Sequence, residues 1–391
     1  MENIILNTWI VATLIQSPPN MVNDDYKAIY KKLVIGNNMD TEWSNKNKKM
    51  QTLIAKEATF ADGIKVLLEL RAELFEQITS IVKTFPPVAF YQMPFGVGKG
   101  SHHTTLAWSL WHIFRIEDIV VHSLILKDEQ ILIRTEWLDK TNSTTVTTAN
   151  ELDGDAMIEF SKALNIKSTY EYCKAVMEST NEMLVGLQFV DLKKTFKIED
   201  KERLSASRCV SSDESSAWLI DYWCGKNIKG LIQMPLSRHW IMHVEAMRRI
   251  KNKLCQQAKK GVDQIAYCGL SCAHCFLTAW CGSCRTIYNT CSFATCSPDG
   301  VCPNTACCKE KGLDGCYECS ELYDCKKGFY SLGKDTNAIR AMALFIQKYG
   351  KKELLRVMDT MHSKKKFEKI QDVLGEEIDE GLKILEEWRN K

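Results

Sequence analysis

Cysteine is concentrated in one short part of this chain, and that clustering limits what the part can fold into. Thirteen of the seventeen cysteines fall between Cys268 and Cys325, and the remainder of the 391 residues holds four. The segment has almost no hydrophobic periodicity, so it cannot bury enough apolar surface to fold unaided. Disulfide bonds or bound metal ions must therefore supply the missing stability.

The spacing of these cysteines favours metal. The segment contains three CxxC pairs, a spacing typical of metal knuckles, and glycines follow Cys268 and Cys281 where such knuckles turn tightly. Thirteen thiolates suffice for three tetrahedral zinc sites with one left over, and two sites with free or bridging cysteines fit equally well. Zinc is expected, with an iron–sulfur cluster as the alternative, although the bacterial ferredoxin spacing is absent. The predicted ligands are Cys268, Cys272, Cys275, Cys281, Cys284, Cys291, Cys296, Cys302, Cys307, Cys308, Cys316, Cys319 and Cys325.

The remaining composition is that of an ordinary globular protein of two or more domains, with 45% hydrophobic and 26% charged residues. A net charge of +2 gives no electrostatic reason to expect nucleic acid or a membrane surface as a partner. No apolar run approaches the roughly 18 residues of a membrane span. The apolar start carries Glu2 where a secretory signal is basic. We therefore expect a cytoplasmic protein whose cysteines are reduced.

Helical periodicity predicts a mainly α-helical fold before the cysteine segment. A first long helix covers about residues 64–81 and ends before Pro86, and a second runs from about His103 to Leu126 with Ser101 as its N-cap. A third helix carries Tyr172, Val176, Met183 and Leu187 on one face, and a fourth covers about residues 235–257. Four long helices joined by long crossovers predict a helical bundle.

Helical periodicity returns after the cysteine segment, with one apolar face from Ala338 to Tyr349 and a short helix from Ile378 to Trp388. The run Lys364–Lys366 is predicted to be a solvated helix face. The sequence thus predicts four segments: an N-terminal extension over 1–50, a helical bundle over 51–260, a cysteine-rich metal-binding domain over 261–332 and a helical tail over 333–391.

Histidines mark a second candidate metal site. His239 and His243 stand four residues apart in the fourth helix, which places both imidazoles on one side of it. His112 lies inside the apolar run WSLWHIFRIED of the second helix, where a buried histidine needs a hydrogen-bond partner or a metal. Glu117 lies about 140° around that helix from His112, so it is predicted to form an ion pair with Arg115 or another residue. We find no nucleotide-binding motif and place no Ser/His/Asp arrangement.

WHIFRIED followed far downstream by H-x3-H resembles the DinB family of four-helix metalloproteins, over about residues 51–256. The resemblance implies a DinB-like four-helix bundle in which His112, His239 and His243 bind a divalent metal such as Zn, Ni, Fe or Mn. Several similar proteins are transferases or isomerases that use a low-molecular-weight thiol with an electrophilic small molecule, and others have no known activity. This chain departs from a minimal family member in one respect: it has about fifty additional residues before the region of resemblance.

The motifs YCGLSCAHC and CCKEKGLDGCYEC resemble a family of small bacterial and archaeal cysteine-rich domains of unknown function, over about residues 266–330. Three functional hypotheses follow. The first is a metal-dependent thiol transferase or isomerase that acts at the three histidines. The second is a metal- or redox-sensing protein that acts through its cysteines. In the third, both sites are structural. The sequence does not identify the substrate, and it is compatible with an oligomer.

Overall fold

The computed structural model describes residues 39–391 except 135, 279–280, 290, 292, 295–296, 298–299 and 368. This part of the chain is mainly helical, and within it no strand forms beyond two isolated β-bridges. None of the described helices is long and apolar enough to cross a membrane. The described residues form seventeen α-helices: α1 (Met39–Leu53), α2 (Phe60–Thr84), α3 (Pro87–Phe90), α4 (Leu106–Asp118), α5 (Ile131–Arg134), α6 (Trp137–Thr141), α7 (Gly154–Ala163), α8 (Ile166–Gly186), α9 (Ile198–Ala206), α10 (Glu214–Cys224), α11 (Ile228–Gln233), α12 (His239–Ala258), α13 (Pro303–Glu310), α14 (Asn337–Tyr349), α15 (Lys351–Lys365), α16 (Gln371–Leu374) and α17 (Ile378–Arg389).

The chain divides into two compact units, the first ending at Leu254 and the second running from Cys255 to Lys391. We call them the histidine unit and the cysteine unit. The four predicted long helices correspond to α2, α4, α8 and α12, and all four meet in the core of the histidine unit. Phe75 of α2 packs edge-on against Phe114 of α4 with ring centroids 5.8 Å apart, and Phe114 packs against Trp240 of α12 at 4.7 Å. Trp111 of α4 lies 5.8 Å from Tyr172 of α8.

Two of these helices are flanked by π-helical turns, one of which adjoins a predicted ligand. Helix α4 continues as a π-helix over Ile119–Leu126, and a π-helical turn over Met234–Arg238 leads directly into α12. The N-cap of α4 is Thr105, whose hydroxyl accepts from the Trp108 N–H at 3.0 Å, so the predicted cap at Ser101 is wrong. Leu187 lies beyond the end of α8, and Leu184 is buried instead.

The helix α1 lies where the sequence predicts an extension without periodicity. Its buried face is sparse but regular, because Trp43, Asn47, Met50 and the following Ile54 recur at helical spacing and are all buried, and three of the four are apolar. The helix packs on α2, and Lys46 forms an ion pair with Glu73. The many Lys and Asn residues between these positions hide the pattern in the sequence. Residues 1–38 of the predicted extension lie outside the described residues.

In the cysteine unit, the cysteine-rich segment and the C-terminal helices share one hydrophobic core. Ile265, Tyr317 and Leu322 from the segment pack in the same cluster as Phe345 of α14 and Trp388 of α17. The sequence-based division treats 261–332 and 333–391 as separate segments that differ in composition. The shared core makes them one compact unit, in which apolar side chains of the tail cover the cysteine-rich loops. Lys364–Lys366 is exposed, as predicted.

Candidate metal centre

His112, His239 and His243 meet in the core of the histidine unit. Each offers one ring nitrogen, and these three atoms all lie within 4.8 Å of one another. Within the described part of the chain, no other group of three or more His, Cys, Asp or Glu side chains is close enough to share an ion. The Nδ1 atoms of His239 and His243 are buried and have no hydrogen-bond partner. Burying a polar atom without a hydrogen-bond partner costs folding free energy, and a metal ion bound to that atom would remove the cost.

The backbone of residues 146–149, which we call the strap, orients His112. Four side chains at i, i+3, i+4 and i+7 on α4 donate to four consecutive carbonyls of the strap. His112 Nδ1 donates to the Thr148 carbonyl at 2.8 Å, which leaves Nε2 as the unprotonated nitrogen that can bind a metal. The other donors are Trp108 Nε1 to Ala149 (2.7 Å), Trp111 Nε1 to Thr147 (2.9 Å) and Arg115 Nε to Val146 (2.8 Å).

The imidazoles are held in the neutral form that metal binding requires. Burial lowers the pKa of His112 to about 4, even though the hydrogen bond to Thr148 acts in the opposite direction. Burial also lowers the pKa of His239 and of His243 well below the usual range, and the neighbouring histidines add to the effect. Trp108 stacks on His112 with the ring planes 14° apart and shields it from water.

A buried ion pair joins α2 to α4, and its carboxylate also binds α12. Arg71 of α2 donates to both carboxylate oxygens of Glu117 at 2.7 and 2.8 Å, and both side chains are fully buried. Trp240 Nε1 donates to the same carboxylate at 2.8 Å. Arg71 also donates to the carbonyl of Leu236, which lies in the π-helical turn before His239. Glu117 is thus an ion-pair residue, as predicted, and its partner is Arg71.

Arg115 belongs to a separate buried network. It donates to Asp118 at 3.1 Å, and the Asp118 carboxylate also accepts from the Tyr172 hydroxyl at 2.8 Å. The backbone N–H groups of Ile131 and Leu132 complete the shell of this carboxylate at 2.8 and 3.0 Å. The polar residues of WHIFRIED therefore fix α4 against its neighbours on three sides, so that His112 is positioned by fully satisfied buried groups.

A cavity of about 330 Å³ opens beside the histidines. His112, His243 and Trp108 form one end of it, and His239 is outside the lining. This volume falls within the range of small-molecule sites. Ser101, Thr104, Asn150 and Asp153 supply polar groups, and Asp153 is the one carboxylate among the lining residues.

His103 also lines the cavity, so a residue of the GKGSHH loop reaches the site. Its Nδ1 donates to the Gly96 carbonyl at 3.0 Å. A Cβ at Gly98 would lie 2.5 Å from the His103 ring, so the ring can occupy this position only beside a glycine. The sequence did not single out Asn150, Asp153 or the strap. The sequence did contain one indication of the strap. Four side chains with N–H donors lie on one face of the otherwise apolar helix α4, and buried donors need acceptors.

Seven of the predicted cysteine ligands surround one apolar cavity of about 100 Å³ in the cysteine unit. We call them the cavity cysteines: Cys268, Cys272, Cys275, Cys281, Cys284, Cys291 and Cys302. Burial raises the pKa of Cys275 and of Cys284 to about 11, whereas a hydrogen bond from Cys291 lowers the pKa of Cys302 to about 6. Cys268, Cys272, Cys275, Cys284, Cys291 and Cys302 are free thiols, so disulfide bonds do not join them.

The other predicted cysteine ligands lie away from this lining. Cys308 and Cys316 are buried with their sulfurs 3.7 Å apart, and the Asn304 amide donates to Cys316 at 3.7 Å. Lys311 Nζ is 3.9 Å from the Cys319 sulfur. Cys307 and Cys325 are half-buried, and Cys296 lies outside the described residues.

A Ser–His–Asp contact that the sequence did not reveal occurs in the cysteine unit. Ser271 Oγ lies 2.8 Å from His274 Nδ1, and His274 Nε2 lies 3.1 Å from Asp359 of α15. Ser271 is fully buried and does not line the neighbouring cavity, so its hydroxyl is closed to a substrate. This arrangement attaches the Cys272–His274 turn to α15 and supports no nucleophilic chemistry.

Comparison of the chain with protein families, with characterised proteins and with solved structures finds no match.

Proposed function

We propose that the chain is a DinB-like metalloprotein whose four long helices form the bundle of that family. In this proposal His112, His239 and His243 hold a divalent metal ion (Zn, Ni, Fe or Mn). The protein transfers or isomerises an electrophilic small molecule with the help of a low-molecular-weight thiol. One observation carries the proposal: three buried, neutral imidazoles converge, and two of them, His112 and His243, line a cavity of small-molecule size.

The donor set fits such an ion. Imidazole nitrogen suits Zn, Ni and Fe, and three protein ligands leave positions for water or substrate. The unpartnered Nδ1 atoms of His239 and His243 also point to a missing ligand. When bound, the ion would deprotonate a thiol that coordinates it and polarise the electrophile.

The chain's own residues prepare the site for this chemistry. The strap holds the Nδ1 proton on His112. The Arg71–Glu117 pair joins α2 to α4, and the hydrogen bond from Trp240 to Glu117 joins α12 to α4. Trp108 excludes water from one face of His112. Asp153 is the lining residue that can accept the thiol proton, and the thiolate sulfur then forms a bond to the electrophilic carbon as the leaving group departs.

The test is a thiol-consumption assay with a panel of low-molecular-weight thiols and a chromogenic electrophile, with Zn²⁺, Ni²⁺, Fe²⁺ or Mn²⁺ added. We expect metal-dependent turnover that falls at least 100-fold in His239→Ala. The matched control is His122→Asn, because His122 is equally buried but bonds to Asp128 and Ser179 away from the site. Absence of turnover in every metal-loaded wild-type sample, or equal activity in His239→Ala, would contradict the proposal.

A second candidate function concerns the cysteine unit, which we propose to be a metal- or redox-responsive module holding zinc or an iron–sulfur cluster. The seven cysteines around one cavity support it. Thiol titration of folded protein before and after chelation tests this candidate. Release of several reactive thiols by a chelator is the expected result, and an unchanged thiol count would contradict it. Both candidates place the protein in a reducing cytoplasm, where thiols persist.

A further inference from the structure

The cavity cysteines face a shared space rather than a single point. They come from three parts of the segment: the stretch Cys268–Cys284, then Cys291, and finally Cys302 at the N-cap of α13. Apolar side chains such as Phe276, Phe293 and Ile339 form the rest of the wall. A void of about 100 Å³ would cost the core stability through lost contacts if it served no purpose.

A single zinc ion does not suit this arrangement. Zinc–sulfur bonds of about 2.3 Å in a tetrahedron place the four sulfurs roughly 3.8 Å from one another. Among the described cysteines, no three sulfurs approach closely enough to share one ion. Cysteines come close only in pairs among those described: Cys291 hydrogen-bonds to Cys302 within the lining, and the sulfurs of Cys308 and Cys316 lie 3.7 Å apart outside it. Clusters of zinc bridged by thiolates require the same short sulfur–sulfur distances.

A [4Fe–4S] cluster has a different requirement. Each of its thiolate ligands binds a different iron and lies on the outside of a core that contains sulfide ions, so the thiolates are farther apart than in a zinc site. Cysteines spread around an apolar, thiol-lined cavity match that geometry. Hydrogen bonds to the sulfurs, such as that from the Tyr267 N–H to Cys284 at 3.4 Å, are the kind that surround such clusters.

We propose that the cavity cysteines bind an iron–sulfur cluster, which replaces zinc as the expected occupant of this site. The inference rests on the second candidate function and is independent of the three histidines. If the unit binds zinc instead, the second candidate survives and the cluster assignment fails, so the two outcomes are distinguishable.

The experiment uses the full chain carrying His239→Ala, so that iron at the histidine site does not contribute. The protein is expressed and purified without oxygen, then treated with iron, sulfide and dithiothreitol and desalted. We expect iron and acid-labile sulfide in equal amounts, at two or more of each per chain, with visible sulfide-to-iron charge-transfer absorption. Zinc without acid-labile sulfide, or no bound metal, would overturn the assignment.

Variants locate the cluster. Cys272→Ser and Cys302→Ser, from separate parts of the lining, should each lower bound sulfide at least fivefold. Cys319→Ser is the matched control, because Cys319 belongs to the same segment but not to the lining, and it should retain the cluster. Equal loss in Cys319→Ser, or full retention in both lining variants, would refute the location. The iron-to-sulfide ratio of the parent protein decides the cluster question even if a variant misfolds.

Discussion

Replacing Glu117 with Gln tests whether the buried ion pair holds the candidate site together. The carboxylate accepts three hydrogen bonds of 2.7 to 2.8 Å, two from Arg71 and one from Trp240, and both charged side chains are fully buried. A glutamine of similar shape leaves the Arg71 charge uncompensated in the core. Breaking a buried pair in this way costs about 3–5 kcal/mol of unfolding free energy.

Urea unfolding followed by tryptophan fluorescence measures this loss, because seven of the ten tryptophans fall within residues 39–254. A chelator is present throughout, so that metal binding does not add to the stability of the native state. The double variant Arg71→Met/Glu117→Gln should be more stable than the Glu117→Gln single variant, because it removes the unpaired charge. Glu159→Gln, in an exposed pair with Lys162, should leave the midpoint unchanged. A loss below about 1 kcal/mol in Glu117→Gln would refute the reasoning.

Three further predictions follow from the histidine unit. Trp43→Ala should lower the unfolding free energy by about 3–5 kcal/mol, measured by circular dichroism in urea, because the indole of α1 is 1% exposed. Burial raises the pKa of Asp200, but hydrogen bonds from Lys127, the Lys197 N–H and Arg203 lower it to about 2. Its stabilisation is therefore present above pH about 4 and lost as the pH falls through 2, so Asp200→Asn should flatten the acid limb of the midpoint–pH curve. Asp153→Asn should lower the thiol-transfer kcat by about 100-fold while the metal content, measured in parallel, stays constant.

The sequence was sufficient to predict the long helices that carry the site. Their apolar faces are dense, and the three histidines lie on them at positions that the structure brings within reach of one ion. The ion-pair role of Glu117 also followed from its angle on the helix. Helical geometry is local, so spacing alone determines which side chains share a face.

Other features could not be predicted because they depend on contacts between distant segments. The partner of Glu117 lies 46 residues away in α2, and no local pattern identifies it. The strap shows no periodicity, because its carbonyls rather than its side chains contact α4. In helix α1 only about one position in three or four is buried. The polar residues between these positions hide the helical pattern in the sequence. The shared core of the cysteine unit depends on packing between loops that lack periodicity and helices that come later in the chain.

Elemental analysis of the anaerobically purified chain tests the central claim most directly. The parent protein and His112→Ala are compared at equal concentration, with His122→Asn as the control for a buried histidine outside the site. We predict that His112→Ala loses about one divalent metal ion per chain while His122→Asn retains it and both variants stay folded by circular dichroism. Equal metal content in the parent and in His112→Ala would contradict a metal site at the three histidines.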